Sequence, residues 1–196
     1  MATLHAHDLG LSWVCDDSMQ RASHALVDDG RVWLVDPVDD AQALARVTEL
    51  GEPAGVLQLL DRHNRDSAEI AKRLSVPHLR LPDSLPRTSF EPFRLMFNRA
   101  WKEVGLWWPA RRALVVAEAV GTSPAFAVGP GPIGVQPVLR LLPPRTLRNY
   151  LPEHLLVGHG PPVHGAETAA QLNEALDRSR ADLPRLVLAL PRILRG

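Results

Sequence analysis

The sequence predicts an α+β protein in which layers of β-sheet are covered by helices. Two strand-like runs, His24–Val27 and Arg31–Asp36, flank the Asp-Asp-Gly of residues 28–30, and Asp-Gly is a strong hairpin signal. The run AGVLQLL at 54–60 is almost continuously apolar, which predicts a strand buried on both faces. Segments with helical spacing of apolar residues follow such strands, so sheets and helices alternate along the chain.

Three helices are predicted, one after each of three strand-like runs. Residues 39–51, DDAQALARVTELG, have apolar positions near helical spacing, and Gly51 is a candidate C-cap. A second helix is predicted over Ser67–Leu74. The segment GAETAAQLNEALDRSRADL at 165–183 has the most regular apolar face and predicts a third.

Further strands are predicted between these helices. The segment HLRLP at 78–82 is a short candidate strand. A second hairpin is predicted from Glu103–Trp107 to Ala113–Val116 through a turn near Pro109, and Leu155–Val157 is a short strand that ends in a glycine-flanked histidine. Residues 136–151 have a helical pattern that Pro143-Pro144 breaks.

Length and composition favour one globular domain over residues 1–180, followed by a proline-interrupted amphipathic tail over 181–196. The 196 residues include 22 basic and 22 acidic side chains. A nucleic-acid-binding surface would need a basic excess, so we expect no nucleic-acid partner. The apolar stretch LPRLVLALPRIL is too short and too charged to span a bilayer, and we expect no membrane partner.

The N-terminal segment MATLHAHDLG lacks the basic and apolar regions of a signal peptide. Cys15 is the only cysteine, so no internal disulfide can form, which favours a reducing, cytoplasmic setting. The sequence permits a homodimer and a small-molecule ligand, and identifies neither.

Four polar clusters follow predicted strands, where loops can present side chains from a rigid scaffold. These are Asp36 in LVDP, the loop Asp-x-His-x-Arg-Asp at 61–66, Glu118 in LVVAEAVG and His159 in LLVGHGPP. Each is weak evidence alone. Their order along the chain carries more information.

In that order they resemble the metallo-β-lactamase superfamily over roughly residues 25–175. ALVDDGRVWLVDP is similar to the opening hairpin, and VLQLLDRHNRD falls where the family has His-x-His-x-Asp-His. EVGLWWPARRALVVAEAVGT resembles the later hairpin, and LPEHLLVGHGPPV carries the family's frequent Gly-His-Gly. The resemblance implies a four-layer αββα sandwich with the site at the sheet edge.

The resemblance also implies positions for metal ligands, and most of them are substituted here. Asp61 and His63 fall on the paired histidines. Arg65 falls on the aspartate that binds the second metal, and Asp66 falls on the last histidine. Because a guanidinium is permanently protonated and repels a nearby cation, Arg65 argues against a second metal.

The remaining positions are shared between the later hairpin and the C-terminal strand. The third histidine falls near Arg99, which with Arg65 would block the usual site. The bridging aspartate falls on Glu118 and the last histidine on His159. The candidate ligands for one Zn, Mn or Fe ion are therefore Asp61, His63, Asp66, Glu118 and His159. Of these, Asp61, His63 and Asp66 are also the candidates for a catalytic role.

Two functions stay open, and the substitutions at the metal-site positions that the resemblance implies favour the first. One is an atypical member of this fold that lacks two-zinc chemistry and acts as a non-catalytic binding module, with Arg65 paired to Asp66 or Glu118. The other is a single-metal hydrolase of an ester, lactone, thioester or phosphoester. Structural roles compete at some positions, because Asp66 with Glu69 fits a helix-capping box and Asp36 fits a turn or a hydrogen-bond partner of a ligand.

Overall fold

The first sheet has six strands in sequence order. In the computed structural model, which describes residues 1–193, they are β1 (Ala2–His7), β2 (Gly10–Cys15), β3 (Ala22–Asp28), β4 (Arg31–Val35), β5 (Glu52–Gln58) and β6 (His78–Arg80). The first four are antiparallel neighbours, whereas β5 and β6 run parallel to β4. The last three positions of the predicted tail lie outside the described residues.

The second sheet has five strands in the order β13-β12-β9-β8-β7. Their bounds are β7 (Glu91–Phe97), β8 (Lys102–Trp108), β9 (Ala113–Val116), β12 (His154–Val157) and β13 (Val163–His164). A two-stranded ribbon, β10 (Val120–Gly121) with β11 (Gly134–Val135), lies between β9 and β12 along the chain. Strand β12 pairs parallel to β9, so both strands end at the same edge.

The apolar alternation of β4 shows how the layers form. Val32 and Leu34 pack with residues of the first two helices, while Trp33 and Val35 point into the core shared with the second sheet. This two-residue period lets one sheet bury both faces. Within the described residues 1–193 the α-helices are α1 (Ala41–Leu50), α2 (Ser67–Leu74), α3 (Thr168–Arg178) and α4 (Leu183–Ile193). The predicted αββα sandwich is confirmed.

Local signals located most elements correctly. The hairpin β3–β4, the helix α2 and the strand pair β8–β9 lie where the sequence predicts them. Strands β1, β2 and β7 are not predicted. The segment 136–151 forms only two short 3₁₀ helices, and α4 continues through Pro184 because a proline in the first helical turn removes no helical hydrogen bond. None of the helices within residues 1–193 has the length and apolar character needed to cross a bilayer.

His24 on β3 joins the two sheets through a buried hydrogen-bond chain. Its Nε2 donates to the carbonyl of Val157 on β12 (3.0 Å), and its Nδ1 accepts from the Ser12 hydroxyl (2.7 Å). The Ser12 oxygen in turn lies 2.9 Å from His7 Nε2. The neutral imidazole satisfies every partner, and burial lowers the pKa of His24 to about 3.

This buried histidine predicts acid sensitivity of the fold. Because the pKa of His24 is lower in the folded than in the unfolded state, where it is near 6.5, the unfolded state binds more protons below that value. The free energy of unfolding should therefore fall as the pH drops below 6.5. Protonation of His24 in the unfolded state should account for about 2 kcal/mol of that loss at pH 5. Urea unfolding at pH 7, 6 and 5 measures it.

His24→Gln should make that pH dependence of the free energy of unfolding shallower. A slope in His24→Gln equal to that of the wild type would contradict the prediction.

Candidate metal site

Three of the predicted residues meet at one edge of the sandwich. His63 follows β5, Glu118 follows β9 and His159 follows β12. Each offers one ligand atom, and the three atoms lie within 4.8 Å of one another. Parallel pairing brings the ends of β9 and β12 to the same edge, which places Glu118 beside His159. Within residues 1–193 no other group of His, Cys, Asp and Glu side chains meets this condition.

His63 is oriented by Asp36. Its Nδ1 lies 3.2 Å from Asp36 Oδ2, so the carboxylate holds the proton on Nδ1 and leaves the Nε2 lone pair free. The other carboxylate oxygen of Asp36 accepts from the Leu59 amide at 3.0 Å. Asp36 thus takes the place that the family resemblance implies for it, as a hydrogen-bond partner of a ligand. Metal-bound histidines usually have such a partner.

His159 is also oriented by a hydrogen bond to its Nδ1 atom. Its Nδ1 lies 3.1 Å from the Met19 carbonyl, which accepts the Nδ1 proton. Its Nε2 is buried and has no hydrogen-bond partner. Burial and, to a smaller extent, the nearby Arg65 and His63 lower the pKa of His159 to about 4. The imidazole is therefore neutral at pH 7, as a metal ligand must be.

The two glycines that flank His159 serve different purposes. Gly160 has a φ of +95°, which favours glycine. Gly158 is needed for a close approach, because a Cβ there would lie 2.1 Å from the Ala117 carbonyl oxygen. Its amide donates to that same carbonyl (3.0 Å), which ties the His159 loop to the turn that carries Glu118.

Glu118 offers a carboxylate oxygen whose hydrogen-bonding capacity is unused. Its Oε2 is buried and accepts no hydrogen bond, although Arg62 Nε lies 3.8 Å away. The Arg62 guanidinium also lies 3.7 Å from Asp61 Oδ1 and stacks over the Trp101 ring at 4.2 Å. The sequence allowed Asp61 to pair with Arg62 or Arg65, and the contact with Arg62 is present. It predicted no place beside the site for Trp101, which is buried.

Arg65 corrects a prediction about its partners. It does not pair with Asp66 or Glu118. Its Nη1 donates to the carbonyls of Ala22 and Asp36 (2.8 Å to the latter), and its Nη2 donates to the Gly158 carbonyl at 2.8 Å. The guanidinium therefore lies under the site and joins β3, the end of β4 and the end of β12. Burial lowers the pKa of Arg65, and the Asp36 carboxylate opposes that shift.

The other predicted residues lie outside the three-residue group. Asp61 is adjacent, with Oδ1 buried and without a hydrogen bond. Asp66 begins α2, but its side chain makes no capping bond and instead accepts from the Asp39 amide at 2.8 Å. The capping-box prediction for Asp66 is therefore wrong. Arg99 is exposed in the β7–β8 connection, and Trp101 with Arg62 lies nearer to the site.

The residues present fit one metal ion. Two imidazoles and one carboxylate make a three-ligand set, and His159 Nε2 and Glu118 Oε2 are buried without hydrogen-bond partners. Leaving buried polar atoms unpaired costs free energy, so two such atoms within this set favour the binding of a further group. A set of two histidines and one glutamate is a known arrangement for catalytic zinc, which keeps a fourth position open.

Known structures share this architecture. The DIM-1 metallo-β-lactamase is 13% identical, covers 92% of this chain and 97% of its own, and has a TM-score of 0.60. A metallo-β-lactamase from Pontibacter korlensis is 10% identical (90% and 93% covered, TM-score 0.55). The chemotaxis sensor ODP, solved as a peroxy diiron species, is 15% identical (91% and 94% covered, TM-score 0.57).

At these identities the likeness shows the fold alone. The chain has the metallo-β-lactamase fold, as the sequence resemblance implied. No family model matches the sequence, and no curated protein matches it.

The position of Arg65 predicts a large effect on stability. Arg65→Met leaves three buried carbonyls without their charged donor, so the free energy of unfolding should fall by about 3 kcal/mol or more. Chemical denaturation at pH 7 measures this.

Arg94→Met is the matched control, because the exposed Arg94–Asp83 pair contributes at most about 1 kcal/mol. Equal losses in the two variants would show that the contacts of Arg65 contribute no more than a surface ion pair.

Proposed function

We propose that this chain binds one metal ion through His63, Glu118 and His159 and is a single-metal hydrolase. Two observations carry the proposal: one ligand atom from each of His63, Glu118 and His159 lies within 4.8 Å of the others, and Glu118 Oε2 and His159 Nε2 are buried without a hydrogen-bond partner. Asp36 and the Met19 carbonyl hold the two imidazoles in the tautomer that a metal needs.

One ion, not two, fits the charges. The family's second-metal aspartate corresponds to Arg65, whose guanidinium is bound to three carbonyls just beneath His159. Its positive charge already opposes protonation of His159 and would oppose a second cation in the same way. The dinuclear hydrolytic chemistry of the fold is therefore not expected here.

The ligand set favours zinc, with iron or manganese as alternatives. Imidazole suits zinc and iron, and the single carboxylate also accommodates manganese. When bound, such an ion polarises a substrate oxygen and lowers the pKa of a coordinated water.

The chain's own residues would prepare the rest of the site. Asp61 Oδ1 is buried without a hydrogen bond and can accept a proton at the mouth of the site. Arg62 is placed between Asp61 and Glu118 by its stacking on Trp101. The substrate classes consistent with this chemistry are an ester, lactone, thioester or phosphoester.

A second candidate function has its own support. Arg62 Nε lies within 4 Å of both Asp61 and Glu118, so its charge can balance the two carboxylates without an ion. In that case the protein is a metal-free binding module for a small molecule. A homodimer and a cytoplasmic location remain proposals, the latter supported by the single cysteine.

Metal analysis of the purified protein separates the two functions. We expect about one equivalent of transition metal, removable by a chelator and restored by Zn²⁺. His159→Ala removes one of three ligands and should raise the Kd for Zn²⁺ at least about 100-fold. The zinc-loaded protein should hydrolyse at least one member of an ester, lactone, thioester and phosphoester panel.

His154→Ala is the matched control. His154 and His164 form a separate exposed pair, with Nδ1 atoms 2.8 Å apart, which can take up metal weakly. Its loss should leave the one-equivalent site intact. Absence of metal after growth in zinc, manganese and iron would sink the hydrolase proposal and leave the binding module.

A further inference from the structure

Glu103 on β8 is a fully buried carboxylate behind the candidate metal site. Its Oε1 accepts from three consecutive amides, those of Ala117 (2.9 Å), Glu118 (2.9 Å) and Ala119 (3.1 Å). Its Oε2 accepts from the Trp101 indole at 2.8 Å. None of its surface is exposed.

All four contacts of Glu103 are made to N–H donors, and the carboxyl oxygens act as acceptors in each of them. Burial raises the pKa of Glu103, while the amide and indole donors oppose that rise. A buried carboxylate is costly in a protein interior, and all of its partners here are neutral.

The three amides belong to the turn that carries Glu118. Residues 117–119 connect β9 to β10 and have no strand pairing of their own. Consecutive N–H groups pointing at one oxygen form an anion-binding nest, which fixes the turn in one conformation. The Ala117 carbonyl on this turn also accepts from the Gly158 amide, next to His159. The turn that carries Glu118 is therefore held by Glu103 Oε1, and the loop that carries His159 is hydrogen-bonded to that same turn.

We propose that Glu103 is a positioning residue for the Glu118 ligand. Its carboxylate holds the backbone of residues 117–119, and thereby aims the Glu118 carboxylate at His63 and His159. It also anchors Trp101, on which Arg62 stacks at the mouth of the site. This inference rests on the proposed metal site, since it concerns how one ligand of that site is placed.

A double-mutant cycle tests the inference through metal binding. Zn²⁺ affinity is measured by chelator competition for the wild type, Glu103→Gln, Glu118→Gln and the double variant. Glu103→Gln replaces the carboxylate by a neutral amide, whose oxygen binds the three amides more weakly and whose N–H₂ faces the Trp101 indole N–H, so the turn is held less firmly and the Kd should rise about 10- to 100-fold. In the double variant the Kd should equal that of Glu118→Gln within about threefold, because the effect acts through Glu118.

Glu91→Gln, an exposed glutamate on β7, is the matched control and should leave the Kd unchanged. The inference is overturned if Glu103→Gln binds zinc as the wild type does, or if the effects of the two substitutions multiply. If Glu103 had only a structural role, Glu103→Gln would lower the free energy of unfolding, and its effect on the Kd for Zn²⁺ would not depend on the residue at position 118.

Amide hydrogen exchange of the metal-free wild type adds a readout that needs neither variant nor metal. The amides of residues 117–119 should exchange far more slowly than that of Arg99 in the exposed β7–β8 connection. Fast exchange at 117–119 overturns the inference even if Glu103→Gln fails to fold. If these amides exchange slowly but the wild type takes up no zinc, the proposed metal site is overturned and Glu103 has only a structural role.

Discussion

The guanidinium of Arg65 is the contact on which the site edge of this sandwich depends. Carbonyls at the start of β3 and just past the ends of β4 and β12 converge there from both sheets, and the guanidinium satisfies all three. Buried carbonyls need partners, and one planar group with several donors can serve several at once. Because Asp36 and Gly158 are held in this way, the groups that orient His63 and carry His159 have fixed positions.

Two buried carboxylates extend this arrangement on either side. Asp36 accepts from the Leu59 amide and orients His63, and Glu103 holds the turn that carries Glu118. Each is an anion whose partners include backbone N–H groups of a metal-site loop. The histidines and Glu118 are therefore positioned by buried electrostatic contacts and not by packing alone.

Much of the fold and part of the site followed from local patterns. The Asp-Gly hairpin, the apolar β5 and the regular face of α3 each carry a signal within a few residues. Strands β1, β2 and β7 lack a comparable turn signal, and they form because neighbouring strands offer edges to pair with. Likewise His63, Glu118 and His159 each follow a strand in the sequence, and this predicted that they lie at one edge of the sandwich. The partners of Arg65 and Glu103 are distant in sequence, and no local pattern predicted them.

By itself the sequence determined the strand–helix alternation and the polar groups at strand ends. Only the tertiary structure decided which of those polar groups share a space. In the structure, Arg65 donates to carbonyls instead of carboxylates, and Asp66 accepts from the Asp39 amide. Glu103 accepts from the Glu118 amide. The physical reason is that a buried charge takes the unpaired donors or acceptors that chain packing brings to it, and those are backbone groups distant in sequence.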